Sequence, residues 1–212
     1  MASRARTGPP DLWDPVVRIT HWGLAVIVIL NALITDGGST LHVWLGWIGM
    51  ALLLLRLVWG LLGPVEARFS AFPPGLRQAV SHLRALATGR RVGHYPSHNP
   101  AGALMIYAFW ASLAVVTCTG LVLTGGATPM QVAADKAAVA SGDWSALARE
   151  EADGGEDGGA FRKQVEEVHE LVADLILILA VLHVAGVAVE SRAMRRNLVA
   201  PMLAGLRRSR GK

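Results

Sequence analysis

The sequence predicts an all-α integral membrane protein, a four-helix bundle with short helices on its cytoplasmic and outer surfaces. Of the 212 residues, 52% are hydrophobic and only 17% are charged, and the mean hydropathy is +0.40. Such a chain is too apolar for an ordinary water-soluble domain. Almost no charged residue falls within four long apolar stretches. This composition disfavours a soluble cytosolic enzyme.

The four apolar stretches are long enough to cross a membrane. About 30 Å of hydrocarbon at about 1.5 Å per residue takes roughly 20 residues of helix. The predicted spans are residues 16–35, 41–63, 101–124 and 168–190. A cleaved signal peptide is the alternative for the first stretch, but Ala32-Leu33-Ile34 is a poor cleavage site. We predict one membrane-embedded domain over residues 1–212.

The distribution of charge predicts the topology. Fifteen of the twenty basic residues lie in the N-terminal arm, the segment 64–100 and the tail after Glu190. The loop 124–168 instead holds nine acidic and four basic residues. By the positive-inside rule, both termini are cytoplasmic and this acidic loop is on the outer side.

Short helices are predicted in the connections. After Pro73-Pro74, apolar residues recur at helical spacing as far as Ala87, with Gly89 beyond them, which is typical of a helix on the lipid surface. The segment Asn197–Leu206 is predicted to form another. In the outer loop we expect helices around Pro129–Ala140 and Trp144–Glu151, and a flexible glycine-rich stretch at Gly154–Gly159.

Four histidines fall at matched depths in the predicted spans. His21 and His183 lie near the cytoplasmic ends of the first and fourth spans, and His42 and His169 open the second and fourth spans at the outer surface. The 14 residues between the two histidines of the fourth span place them about 40° apart in azimuth and about 21 Å apart along the helix. One face of this helix therefore serves both sides of the membrane.

Two depth-matched pairs favour two stacked haems. A six-coordinate haem iron takes one imidazole from either side, and electrons must cross the bilayer in steps shorter than its thickness. The single cysteine, Cys118, leaves no CxxCH motif for covalent haem, and a zinc site is disfavoured because no three ligands converge. We predict two non-covalent haems with bis-histidine ligation by His21, His42, His169 and His183. Taken singly, each histidine is more often an ordinary polar residue of the membrane boundary.

The second span supplies a further signal. His42, Gly46, Gly49, Leu53, Arg56, Gly60 and Gly63 follow in alternating steps of four and three and so share one stripe of the helix. Gly46, Gly49 and Gly60 are predicted to leave room for a flat porphyrin, although a glycine stripe also marks close helix packing. Arg56 is predicted to pair with a haem propionate.

The remaining histidines carry no metal prediction. His82 is expected on the basic, solvated face of the surface helix, and His94 and His98 are expected to be surface residues of a loop. Glu190 is interpreted as a boundary carboxylate that faces water.

Several segments together resemble a known family, the bacterial cytochrome b561-type membrane proteins. This group includes the cytochrome b subunits of nickel-iron hydrogenases and is related to the gamma subunit of formate dehydrogenase. The resemblance covers nearly the whole chain and is carried by Trp13 to Trp22 (WDPVVRITHW), His98 to Gly102 (HNPAG), Glu167 to Glu170 (EVHE) and Glu190 to Met202.

The resemblance implies a bundle in the bacterial inner membrane with two non-covalent haems b. His21 and His183 would hold the cytoplasmic-side haem, and His42 and His169 the outer one. In related subunits a quinone docks near an Asn-x-x-Gly at the start of the third helix, a position that Asn99 and Gly102 occupy here. Asn-Pro is also an ordinary helix entry. The acidic outer loop departs from the hydrogenase and formate subunits.

The predicted function is transmembrane electron transfer between an outer redox partner and the quinone pool. The expected partners are a periplasmic c-type cytochrome or a dehydrogenase or hydrogenase subunit, a quinone and membrane lipid, with no nucleic acid. Two alternatives stay open, a stand-alone quinone-linked oxidoreductase of a diffusible oxidant such as superoxide, and a haem-free membrane anchor. The predicted docking surface consists of Asp135, Asp143, Glu150, Glu151, Asp153, Glu156 and Asp157.

Overall fold

The structure is a computed structural model that describes residues 13–90, 95, 97–144 and 155–203, with residues 155–157 described by their backbone only. No strand occurs among the described residues, and the predicted all-α class is confirmed. The elements are α1 (Pro15–Leu33), α2 (Thr40–Leu62), two 3-10 turns (Val65–Ala67 and Phe69–Ala71), α3 (Leu76–Ala87), α4 (Pro100–Leu123), α5 (Pro129–Ala140), α6 (Gly155–Ala193) and α7 (Ala200–Leu203).

Four helices, α1, α2, α4 and α6, are long and apolar enough to cross a membrane. They confirm the four predicted spans, and the first three lie within two residues of the predicted bounds at both ends. Large apolar side chains such as Ile29, Leu61 and Val181 are exposed on these helices. In lipid such side chains meet hydrocarbon, while the helix satisfies its own backbone hydrogen bonds.

The helix that contains the fourth span extends beyond the predicted span at its N-terminal end. Helix α6 starts at Gly155 rather than near residue 168, so the prediction of a flexible stretch is wrong for residues 155–159. Residues 160–168 are mostly good helix formers, and extending an existing helix costs less than nucleating a new one. The predicted loop helix Trp144–Glu151 lies outside the described residues from position 145 onward.

Two predicted helices in the connections are confirmed. Helix α5 begins with a capping box in which Thr128 and Gln131 bond to each other's backbone, and Pro129 occupies its first turn. Helix α3 is followed by Gly89, whose φ of 65° lies in the left-handed region that glycine adopts without strain. The short helix α7 lies within the predicted segment Asn197–Leu206.

The chain forms two compact units. The first comprises residues 1–22, 54–110 and 178–212, and the second comprises residues 23–53 and 111–177. Each unit contains parts of all four spanning helices. His21 and His183 belong to the first unit, and His42 and His169 belong to the second.

Asp14 caps the N-terminus of α1. Its Oδ1 accepts hydrogen bonds from the backbone N–H groups of Val16 at 2.9 Å and Val17 at 3.4 Å, which are otherwise free at a helix start. The same oxygen accepts a bond from Trp59 Nε1 at 2.9 Å. Beside it, Val17 packs in a small buried cluster with Trp13 and Ala67. Asp14 therefore links the start of α1 to α2.

We predict that Asp14→Ala destabilises the protein by about 1–3 kcal/mol, because it removes a helix cap and leaves the indole N–H of Trp59 without its acceptor. The measurement is the thermal unfolding midpoint of the detergent-solubilised protein. Asp36→Ala, in the exposed turn between α1 and α2, is the matched control and should leave the midpoint unchanged. Equal midpoints for the two variants would contradict this role of Asp14.

Candidate functional site

The structure brings the four predicted histidines together in two pairs. In the first unit the ring centres of His21 and His183 are 6.0 Å apart, with an angle of 57° between the rings. In the second unit the ring centres of His42 and His169 are 6.2 Å apart, with an angle of 56°. These are the pairs that the matched depths in the sequence predict.

Both separations suit a metal ion held between two imidazoles. An imidazole nitrogen binds a metal at about 2.0 Å and lies about 1.1 Å from its own ring centre, so two ligands on opposite sides of one ion have ring centres about 6 Å apart. Two stacked rings come closer, as Trp13 and His98 do with centres 4.7 Å apart. Each histidine pair thus has the ring separation that two ligands of one metal ion would have.

A cavity adjoins the His42–His169 pair within the second unit. Its lining includes both histidines, and most of the rest is apolar, from α1, α2, α4 and α6. Gly46 and Gly49, predicted from the stripe, line this cavity. A Cβ atom added at Gly46 would meet nothing within 4 Å, so the missing side chain leaves open space beside the pair. This lining fits a flat, mostly apolar macrocycle.

Two aromatic edges lie against the His21–His183 pair, and the same unit contains a buried cation. Trp22 lies edge-on to His21 with ring centres 5.2 Å apart, and Phe109 lies edge-on to His183 at 5.9 Å. Arg56 is only 6% exposed, and its guanidinium lies 5.0 Å from the centre of the Trp110 ring.

The guanidinium of Arg56 is only partly satisfied. Its Nη2 donates a hydrogen bond to the carbonyl of Ala67 at 3.3 Å, whereas Nη1 is buried and has no hydrogen-bond partner among the described residues. A buried cation with a free N–H group is costly unless an anion meets it. Arg56 therefore fits the predicted role of holding a propionate.

Gly60 was predicted to leave room for a porphyrin, but an aromatic side chain lies beside it. A Cβ atom at this position would clash with the ring of Phe69, which follows α2 in the second 3-10 turn. The space beside Gly60 is thus filled by an aromatic ring of the chain itself. This glycine serves close packing, the alternative reading of the stripe.

Asn99 and Gly102 form the start of α4. The Oδ1 atom of Asn99 accepts a hydrogen bond from the backbone N–H of Gly102 at 2.7 Å, so Asn99 caps the helix. The cap uses the carbonyl oxygen of the side chain and leaves its amide nitrogen for other bonds.

His98 was predicted to be a surface residue, and this prediction is wrong. Its ring stacks on Trp13 and meets the edge of Phe72, each at 4.7 Å between ring centres. Its Nδ1 lies 2.9 Å from the hydroxyl of Ser97, which itself donates to a backbone carbonyl. Burial, and then the positive charge of Arg56, lowers the pKa of His98 to about 3, so the ring is neutral at physiological pH. The other loop histidine, His94, lies outside the described residues.

The predictions for His82 and Glu190 are also wrong. Both side chains are buried, with 5% exposure each, and His82 Nε2 lies 3.1 Å from Glu190 Oε2. Helix α3 turns Ala79 and His82 inward, while Leu76 and Leu83 are exposed on its surface. A buried carboxylate requires a partner of this kind, which explains why the pair forms. The ring of Tyr95 meets the His82 ring edge-on at 5.7 Å.

Among the residues that the structure describes, no group of three or more His, Cys, Asp or Glu side chains gathers to hold a metal ion. The four apolar spans and the two facing imidazole pairs define a membrane-embedded b-type cytochrome.

The chain belongs to the family described as Prokaryotic cytochrome b561, whose family model matches residues 12–205. No curated protein and no solved structure gave a match. Membership in this family confirms haem b binding and membrane electron transfer, and it overturns the alternative of a haem-free anchor.

We predict that His82→Ala costs about 2–4 kcal/mol of stability, because it leaves the Glu190 carboxylate buried without its partner. His82→Gln keeps an N–H donor and should recover part of this loss. The thermal midpoint in detergent checks both variants, with Leu83→Ala at the exposed neighbouring position as the control. Equal thermal midpoints for His82→Ala and Leu83→Ala would refute the stabilising role of the His82–Glu190 pair.

Proposed function

We propose that this chain carries electrons across a bacterial inner membrane, between the quinone pool and a redox partner on the outer side, with two non-covalent haems b. The observation that carries the proposal is the presence of two imidazole pairs with ring centres 6.0 and 6.2 Å apart, each a spacing for one iron. Each haem b supplies, when bound, a one-electron iron couple. Two such sites divide the membrane into shorter steps for the electron.

The residues of each unit would bind a different haem. His21 and His183 would ligate the cytoplasmic-side haem, and the free N–H group of Arg56 would neutralise one of its propionates. His42 and His169 would ligate the outer haem in the cavity where Gly46 leaves open space. The mostly apolar lining of this cavity suits the apolar faces of the macrocycle.

The orientation rests on charge. With both termini cytoplasmic, the acidic loop 124–168 faces the outer side, where a basic surface of a c-type cytochrome, or of a dehydrogenase or hydrogenase subunit, would meet it. Of the seven acidic side chains in the predicted docking surface, Asp135 and Asp143 are described and exposed. The side chains of the other five lie outside the described part of the chain.

The quinone is proposed to dock beside the cytoplasmic-side haem, near Asn99 and Gly102. The resemblance to related subunits supports this placement. The amide nitrogen of Asn99 supports it as well, because the helix cap leaves this donor for a quinone carbonyl. His98 precedes Asn99 directly and, being neutral, adds no charge there.

The first test is the haem content of histidine variants. We expect two haems per chain in the native protein, and one in His42→Ala or His169→Ala, because either change removes a ligand of the outer haem only. His21→Ala and His183→Ala should remove the other haem only. Each set of variants therefore serves as the experimental control for the other set. Absorption spectra with haem and protein quantitation give the result.

Two outcomes would overturn this proposal. Loss of both haems from a folded single variant would refute the assigned pairing. One haem per native chain would refute the two-haem conduit and favour the stand-alone oxidoreductase that reacts with a diffusible oxidant such as superoxide.

A second test addresses the quinone. Asn99→Asp keeps an oxygen that can cap α4 but removes the amide donor, so we expect slower oxidation of the reduced protein by a soluble quinone analogue with an unchanged thermal midpoint. Stopped-flow absorbance of the haem band measures the rate. Asn197→Asp is the matched control, because the Oδ1 atom of Asn197 caps α7 by accepting from the backbone N–H groups of Val199 and Ala200. A native rate in Asn99→Asp would place the quinone elsewhere.

A further inference from the structure

Two threonine hydroxyls lie behind the histidines of the second unit. Thr119 Oγ1 is 2.9 Å from His169 Nδ1, and Thr35 Oγ1 is 3.3 Å from His42 Nδ1. In the part of the chain that the structure describes, no side chain makes a comparable hydrogen bond to a ring nitrogen of His21 or His183. The two histidine pairs therefore differ in their supporting residues.

The backbone fixes the direction of these hydrogen bonds. Thr119 Oγ1 lies 2.9 Å from the carbonyl oxygen of Val115, which can only accept, so the single hydroxyl proton goes to the backbone. The oxygen is then left to accept the Nδ1–H proton of His169. At the other ring, Thr35 Oγ1 lies 3.3 Å from the carbonyl oxygen of Asn31 and 3.2 Å from its Oδ1. Both oxygens can only accept, so the Thr35 hydroxyl donates to Asn31 and its oxygen accepts from Nδ1–H of His42.

A proton on Nδ1 determines what the other nitrogen can do. A neutral imidazole carries one proton, so Nε2 of each ring keeps a free lone pair, which is the form that binds a metal.

Gly120 also contacts the ring of His169. A Cβ atom added at this residue would lie 3.3 Å from His169 Cε1, tighter than ordinary contact. The missing side chain thus lets the ring lie close against α4, where its Nδ1 reaches Thr119. The glycine and the threonine together hold the ring from one side.

We infer that Thr119 and Thr35 are positioning residues of the outer haem site, which fix the tautomer and orientation of His169 and His42 and strengthen both as electron donors to iron. This inference rests on the proposed ligand role of these histidines. A hydrogen bond from the Nδ1–H group raises the basicity of the ligand, which stabilises the oxidised iron. The pair therefore lowers the reduction potential of one haem, while the other haem lacks this effect.

The test compares Thr119→Val, which removes only the hydroxyl, with Thr119→Ser, which keeps it. Thr88→Val is the matched control, because the exposed Thr88 hydroxyl also donates to a backbone carbonyl of its own helix but belongs to no part of the proposed haem sites. The full-length, haem-loaded protein is titrated electrochemically, and the ferric haems are examined by electron paramagnetic resonance, whose g values respond to the orientation of the imidazole planes. Haem retention is measured in parallel.

We expect Thr119→Val to raise the midpoint potential of one haem, change its g values and weaken its retention by roughly tenfold or more, with the other haem unaffected. Thr119→Ser and Thr88→Val should match the native protein. Thr35→Val should act in the same direction but more weakly, because its hydrogen bond is longer. It also keeps the inference testable if Thr119→Val does not fold.

The inference is overturned if both haems are present and neither valine variant changes a potential or a g value, or if Thr119→Ser shifts as much as Thr119→Val. Other results would refute the proposed function instead. These are fewer than two haems in the native protein, or full haem content in His169→Ala. The two failures are therefore distinguishable.

Discussion

A separation of about 6 Å between facing imidazole rings is the constraint on which the site depends. Two rings that leave room for a metal ion between them cannot be held by close contact with each other, so each is supported by other residues around it. In the second unit hydroxyls do this, with Thr119 behind His169 and Thr35 behind His42. In the first unit the support is aromatic, from the edges of Trp22 and Phe109.

Polar groups in apolar helices impose the second constraint. Each such group needs a partner, because neither lipid nor an apolar lining supplies one. The threonine hydroxyls bond to their own helix, and Glu190 bonds to His82. The Nη1 group of Arg56 is an exception, buried without a partner among the described residues. Because an arriving carboxylate would satisfy it, binding of haem b in the first unit would also stabilise the fold.

The sequence was informative where the membrane restricts the chain. In a span the backbone must be helical, so spacing alone fixes depth and azimuth, and the pairing of His21 with His183 and of His42 with His169 could be predicted. The partner of Glu190 could not, since His82 is 108 positions away in the sequence and either side chain alone is typical of a membrane boundary. Gly60 was ambiguous for a similar reason. A stripe of glycines looks the same whether a macrocycle or the ring of Phe69 fills the space.

The missed contacts lie mostly in the connections, and the reason is physical. A connecting segment has no fixed helical period, so a residue such as His98 can turn toward any neighbour, and only the folded chain reveals that it lies between Trp13 and Phe72. These segments nevertheless shape the environment of the first unit. The carbonyl of Ala67 accepts from Arg56, and burial beside that cation keeps His98 neutral. His98 therefore contributes an aromatic surface to the first unit and adds no second positive charge to that of Arg56.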